Sequence, residues 1–269
     1  MINKLLNLIK LSFYRLRFNF SLILCSLIYG FSFKRRSLNK LKKNGYLIFE
    51  NFLNHDECDL LKKKIDDLIF THSDKVWKSE DSSADKRLIG INKINDQIIR
   101  KFSEDINLRL TGEYFLGCKL TNAFTMANKL EYKKGNLGSG GGWHRDGINP
   151  GYKALIYLSD IDHVDDGALE IILDTNKFIN IITDYAHLKR KNILDTRFKE
   201  NDIEKLIKFR GYEKKSFIGK AGTVILFDTS YIHRGSPIKT EKKRYALTNY
   251  YFPKNKVSSE LEKNKNFML

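Results

Sequence analysis

Proline is almost missing from this chain, with three in 269 residues. That scarcity, beside an aromatic content of 12%, excludes a proline-rich linker or a disordered segment as its main character. Cysteine is equally scarce. Cys25, Cys58 and Cys118 are odd in number and lack metal-binding spacing, which excludes a disulfide framework and fits a reducing compartment. Acidic residues are absent from the first 43 positions, where ten Lys or Arg stand uncompensated. The other 226 residues hold 38 bases against 32 acids, so most of the +16 net charge is an N-terminal appendage rather than a nucleic-acid groove in the core. A membrane-spanning run is lacking too. Phe18 to Phe33 are sixteen residues without charge, closed by Lys34-Arg35-Arg36, whereas a spanning helix needs about 20 apolar residues. The basic block behind the run also departs from a signal peptide. Bases on both flanks suit a helix lying on an anionic membrane surface, with packing on the protein body as the alternative.

What is present begins with Gly45-Tyr46-Leu47-Ile48-Phe49, which reads as a strand running on to Leu53. Asn54 and Glu57 form a capping-box signature, and Leu60, Leu61, Ile65, Leu68 and Ile69 follow at helical spacing. Residues 71–94 read as loop. A second helix is expected from Asp96 to Leu110, with Ile98, Ile99, Phe102, Ile106 and Leu110 inward. From Lys119 the period becomes that of strands, first a long one to Tyr132 with Phe124, Met126, Asn128, Leu130 and Tyr132 on one side. Ala154–Leu158, Ala168–Ile172, Gly222–Asp228 and Arg244–Phe252 follow. Residues 174–216 interrupt them with a short helix near Asp202–Phe209 and an excess of bases, including Lys189, Arg190 and Lys191. They are a candidate lid facing an anionic substrate, against the blander reading of a solvated surface. The expected architecture is α+β: a jelly-roll core with supporting N-terminal helices. Residues 1–37 form a basic N-terminal helix, 38–253 the catalytic domain and 254–269 a polar tail.

The chemistry centres on Gly140-Gly141-Gly142-Trp143-His144-Arg145-Asp146. His144 and Asp146 are two apart and on a strand share a side. His233 arrives far downstream. Two histidines and a carboxylate leave three open positions on iron(II), for the two oxygens of 2-oxoglutarate and for dioxygen. Arg244, eleven residues after His233, offers a planar fork for the distal carboxylate of that co-substrate. Ala246, on the same side of its strand, would leave room for the ligand. Trp143 reads as a core aromatic. Arg145 points away from the ligands, as a surface or loop-pairing residue. His55, His72, His163 and His187 read as structural or solvated.

At these residues the sequence resembles the phytanoyl-CoA dioxygenase family. The matching pieces are the Gly45–Phe49 opening, Trp143-His144-Arg145-Asp146, Ala154–Leu158, Asp166-Gly167-Ala168-Leu169, His233-Arg234-Gly235-Ser236 and Arg244, over roughly residues 40–252. The resemblance implies a double-stranded β-helix with His144, Asp146 and His233 as iron(II) ligands and Arg244 as the 2-oxoglutarate anchor. Dioxygen is the remaining co-substrate. One departure stands out: Leu173-Asp174-Thr175-Asn176-Lys177 replaces the Pro-Gly-Ser-His turn common in the family. The implied activity is hydroxylation of a small-molecule, lipid- or sugar-linked substrate by a cytoplasmic enzyme in peripheral contact with a membrane. The alternatives are a catalytically silent membrane-associated scaffold on this fold and a nucleic-acid demethylase, although no nucleic-acid partner is expected from the charge distribution.

Overall fold

The computed structural model describes Ser12, Phe13, Leu16 and residues 35–269 except Lys191 and Ile193. The expected N-terminal basic helix therefore lies almost wholly outside the described residues. Helix α1 (Arg35–Asn44) leads into strand β1 (Tyr46–Phe49), and Asn54 opens α2 (His55–Thr71). The capping box is complete: Glu57 N donates to Asn54 Oδ1 at 2.8 Å and Asn54 N to Glu57 Oε2 at 2.9 Å. Leu61 and Ile65 bury the inner stripe of α2. Leu60, expected inward, is 57% exposed, because it lies one residue, or about 100°, away from that stripe.

Two further expectations need correction. Residues 71–94 are not simply loop but carry β2 (Trp77–Lys78) and β3 (Asp85–Ile89). The inward residues of β3 include Asp85 and Arg87, so no apolar alternation marks it as a strand. The single helix expected over Asp96–Leu110 is two, α3 (Gln97–Ser103) and α4 (Ile106–Leu116). Asp96 caps the first and Asp105 the second, accepting from Leu108 N at 2.7 Å. The second cap resets the helical phase. Ile99 and Phe102 are buried, whereas Ile106 and Leu110 face outward.

Strands β4 (Leu120–Leu130), β5 (Tyr152–Tyr157) and β6 (Leu169–Ile172) follow, then helices α5 (Phe178–His187) and α6 (Glu200–Arg210). Strands β7 (Lys214–Phe217), β8 (Val224–Asp228), β9 (Ile232–Gly235) and β10 (Arg244–Pro253) complete the sheets. Residues 254–269, read as a polar tail, contain helix α7 (Lys254–Asn264). The larger antiparallel sheet runs β1-β8-β5-β10-β4-β3-β2 and the smaller β7-β6-β9. Leu155, Tyr157, Leu169, Ile171, Phe227 and Ala246 fill the space between the sheets. On the back of the larger sheet, Leu61, Ile65, Phe102 and Leu108 from the helices pack with Ile156 and Leu247. This is the jelly roll with helical support that the strand pattern implied.

A third core lies beneath the glycine-rich stretch, where Trp143 packs with Ile181, Tyr185, Phe198, Ile203 and Leu206. Arg145 is set into it. Its guanidinium is fully buried: Nη1 donates to the carbonyls of Thr175 and Ser230, and Nη2 lies 3.9 Å from Asp184. The surface half of the expectation for Arg145 is thus overturned, and the loop-pairing half holds. Burial lowers its guanidinium to about 10, which leaves it charged at neutral pH. The unusual Leu173–Lys177 turn serves the same brace. Thr175 Oγ1 accepts from Ile232 N at 3.0 Å, and Asn176 donates to Asp228 at 3.0 Å. Replacing Arg145 with Met would leave the carbonyls of Thr175 and Ser230 without their buried donor and take one cation from Asp184, which keeps Tyr212 and Arg210. We expect Arg145→Met to lose roughly 3–5 kcal/mol of stability, measured by urea unfolding; a loss below about 0.5 kcal/mol, the range of a neutral surface change, would show that the brace is dispensable.

Candidate active site

The glycine-rich stretch folds back on itself because its glycines take conformations that other residues resist. Gly140 has φ +93°, and a Cβ there would lie 2.3 Å from the His144 ring; at Gly138 (φ +80°) it would lie 2.0 Å from the Gly235 carbonyl. The chain then runs extended between two neighbours. On one side Arg145 N donates to Thr196 O and Phe198 N to Trp143 O, both at 2.9 Å. On the other, His144 N donates to His233 O at 2.9 Å and His233 N to His144 O at 2.8 Å. The two histidines are therefore directly opposite each other in an antiparallel pair, with side chains on one face and ring centroids 4.3 Å apart. Asp146 N donates to Thr229 O at 3.1 Å, which returns the Asp146 carboxylate to that face.

The ligand atoms of His144, Asp146 and His233 lie within 4.8 Å of one another. Asp146 Oδ1 is 3.6 Å from His144 Nε2 and 3.8 Å from His233 Nε2. Each imidazole has its Nδ1 2.9 Å from a carbonyl, Gly142 O for His144 and Tyr231 O for His233. A carbonyl only accepts, so Nδ1 carries the proton and both Nε2 lone pairs face the centre. Burial holds both imidazoles neutral, below their ordinary pKa. Desolvation favours the neutral acid at Asp146, but the Lys153 ammonium, 2.5 Å from Oδ2, outweighs it and holds the carboxyl well below its usual range. Two neutral imidazoles and one ionised carboxylate on one face form a donor set suited to iron(II), with the remaining positions open to a cavity.

That cavity encloses about 910 Å³ and reaches Arg244. Arg244 sits at the start of β10 opposite Leu130, 2% exposed, with Nη1 donating to Gly167 O at 2.8 Å and Nη2 to Asn128 Oδ1. Its Nε is buried without a partner, and among the described residues it makes no ion pair with a carboxylate. A buried guanidinium in that condition is an anion site in waiting. Ala246 corrects the expectation for it: it packs in the core between the sheets, and Thr248, two residues on, lines the cavity instead.

Two cavity residues, Lys153 and Arg87, escape a reading of the sequence, and a third, Arg197, is one of the many bases of the candidate lid segment. Lys153 on β5 is hidden by an otherwise apolar strand, although its alternation with Leu155 marks it as inward. Arg87 on β3 stacks over Trp77 at 4.4 Å and pairs with Asp85 at 2.5 Å. Arg197 lines the cavity with Leu194 and Thr196, while Lys189 and Arg190 of the basic run do not. Arg190 pairs with Asp195 at 2.7 Å and Asp202 at 2.9 Å, and Lys191 lies outside the described residues. His55, His72, His163 and His187 are exposed.

No curated protein matches this sequence. Among solved structures, the epimerase SnoN in complex with Fe3+, alpha ketoglutarate and nogalamycin RO is 14% identical, with a TM-score of 0.60 over 81% of this chain and 83% of that one. HygX from Streptomyces hygroscopicus, with nickel and 2-oxoglutarate bound, is 14% identical with a TM-score of 0.59 over 83% and 88%. The carbocyclase SnoK from nogalamycin biosynthesis is 12% identical with a TM-score of 0.60 over 81% and 83%. At such identities these likenesses establish the fold. Residues 41–246 match the model described as phytanoyl-CoA dioxygenase, which spans most of the chain. The chain belongs to the phytanoyl-CoA dioxygenase family of iron(II)- and 2-oxoglutarate-dependent oxygenases.

Proposed function

We propose that this enzyme hydroxylates a small-molecule substrate, with His144, Asp146 and His233 holding iron(II) and Arg244 holding the distal carboxylate of 2-oxoglutarate. One observation carries the reading: two neutral imidazoles, locked face to face by their own backbones, share an open face with an ionised carboxylate, and an unpaired buried guanidinium lies in the same cavity. When bound, iron(II) with 2-oxoglutarate and dioxygen supplies the oxidant that places oxygen on a C–H carbon. The chain's own residues do the rest. Gly142 O and Tyr231 O fix the imidazole tautomers. Lys153 steadies Asp146 through the oxygen facing away from the histidines. Leu155, Leu169 and Phe227 give the cavity an apolar floor that limits water. HygX has been solved with hygromycin B and SnoN with nogalamycin RO, which supports a small molecule as substrate here. The uncompensated bases of residues 1–43 support a cytoplasmic enzyme in peripheral contact with anionic lipid. Among the described residues no helix is long and apolar enough to cross a membrane.

The metal assignment is tested by anaerobic iron titration with 2-oxoglutarate decarboxylation as the second readout. His144→Ala and His233→Ala should each abolish tight binding and turnover, and near-normal turnover in either would overturn it. The pH dependence follows from the lowered histidine pKa values. The folded protein leaves these imidazoles unprotonated where an unfolded histidine, near 6.5, takes up a proton, so apoprotein stability should fall as pH drops below about 6.5. Thermal unfolding across pH checks this; stability that rises on acidification through that range would contradict it.

Arg244→Ala removes one partner of a buried charge pair, a loss of about 3–5 kcal/mol. The 2-oxoglutarate requirement should rise a few hundredfold or more, with Arg244→Lys restoring only part because an ammonium lacks the fork. Lys243 is exposed and 3.6 Å from Glu131, so Lys243→Ala serves as the control. If it weakened 2-oxoglutarate binding more than Arg244→Ala, the assignment would be wrong. For the membrane contact, full-length protein should sediment with anionic vesicles at low salt and a protein beginning at Leu38 should not, since each surface base contributes about 1 kcal/mol. Equal sedimentation of both would exclude an anchoring role for the N-terminus.

A further inference from the structure

Asp146 has two carboxylate oxygens, and they meet different partners. Oδ1 lies 3.6 Å from His144 Nε2 and 3.8 Å from His233 Nε2, inside the group that could hold a metal. Oδ2 is taken by the Lys153 ammonium at 2.5 Å. Among the described residues Lys153 pairs with no other carboxylate, and Asp146 pairs with no other lysine or arginine. Lys153 comes from β5 on the larger sheet, directly opposite Tyr250 of β10, so the two side chains share a face. The ammonium lies 4.1 Å from the centroid of the Tyr250 ring, which is itself stacked on Phe124 at 4.6 Å. At 13% exposed, the Lys153 side chain is held between that ring and the carboxylate.

A carboxylate binds a metal through one oxygen or through both. The difference decides how many positions stay open. With one oxygen from Asp146 and two imidazoles, a six-position ion keeps three. 2-Oxoglutarate takes two of them and dioxygen the third. With both oxygens of Asp146 on the metal, two positions remain and 2-oxoglutarate fills them. A charge-assisted hydrogen bond is roughly twice as strong as a neutral one. An ammonium seated on a ring therefore keeps its hold on Oδ2 where a water would be displaced.

Resting on the hydroxylase reading above, we propose that Lys153 is a positioning residue: by holding Oδ2 it confines Asp146 to a single donor oxygen and keeps the third position free for dioxygen. This role has a signature opposite to that of a plain structural support. Lys153 and a divalent metal draw on the same carboxylate and repel each other. Removing the ammonium tightens the metal and closes the dioxygen position at once. Removing a structural support would loosen the metal instead.

The test uses the full-length protein without oxygen, with cobalt(II) as the metal probe and nitric oxide in place of dioxygen. Calorimetry measures cobalt(II) binding by the apoprotein. A second sample is loaded with iron(II), 2-oxoglutarate is added and followed by its charge-transfer absorption, and nitric oxide is then titrated by electron paramagnetic resonance. A wild-type protein that bound neither cobalt(II) nor 2-oxoglutarate would sink the hydroxylase reading itself. We expect Lys153→Met to bind cobalt(II) at least threefold more tightly than wild type and still to take up 2-oxoglutarate. In the presence of 2-oxoglutarate it should bind nitric oxide at least tenfold more weakly. Lys153→Arg, which can still donate to Oδ2, should recover most of the nitric oxide binding. Cobalt(II) binding by Lys153→Met no tighter than wild type would leave Lys153 a structural support. Undiminished nitric oxide binding would show that Asp146 stays a single-oxygen donor without it. Either result overturns the proposal.

Discussion

The pair of backbone hydrogen bonds that His144 and His233 give each other is the constraint on which the site depends. Two residues 89 positions apart in sequence become direct opposites in one antiparallel pair, and both side chains then leave the same face. No side chain is needed to aim them. What side chains do is hold the pair in register. Arg145 ties the intervening residue to the carbonyls of Thr175 and Ser230, and Asp228 closes the turn before His233 by accepting from Ser230 N at 2.9 Å. A one-residue slip would turn both imidazoles out of the cavity, and these buried contacts oppose it.

The larger sheet supplies the other half of the site through a polar seam in its inner face. Registers place Arg244 beside Leu130, Ala246 beside Asn128, and Arg87 beside the same Asn128. Arg87 pairs directly with Asp85, and the Asn128 amide joins the Arg244 guanidinium to that same carboxylate. Burying two cations on one carboxylate is unfavourable unless another anion arrives. The orphaned Nε of Arg244 is the visible sign of that deficit.

How much of this is legible in sequence follows from how each residue is used. His144, Asp146, His233 and Arg244 are rare types at telling spacing on strands whose apolar neighbours alternate, so both chemistry and placement can be read. Arg87 and Lys153 are common surface types, and apart from the alternation of Lys153 with Leu155 nothing local marks them as facing a cavity; Arg197 is one base among many in the candidate lid segment. Strand β3 is hidden for the same reason: its inner positions are polar, so the alternation that marks a half-buried strand is missing. The break between α3 and α4 is carried by Asp105, a single capping residue inside a run that otherwise keeps helical spacing. The strand period does turn Arg145 away from the ligands, but its partners lie 30 and 85 residues distant, and sequence alone does not bring them near.

The two halves differ in what change they tolerate. His144, Asp146 and His233, the group that could hold a metal, are positioned by main-chain bonds and by a braced loop with its own apolar core, so substitutions elsewhere on the cavity wall leave that geometry standing. The cavity cations come from four elements, each anchored separately: Arg87 by Asp85 and Trp77, Lys153 by Asp146 and the Tyr250 ring, Arg244 by Gly167 and Asn128, Arg197 by one carbonyl. Lys153 is tied to Asp146, and Arg244 is buried with two hydrogen-bond partners, so both have little freedom to vary. Arg197 sits on an exposed segment, its side chain held by one hydrogen bond, where replacement disturbs no core. On a shared fold, a cavity-lining position of that kind meets the least structural resistance to change.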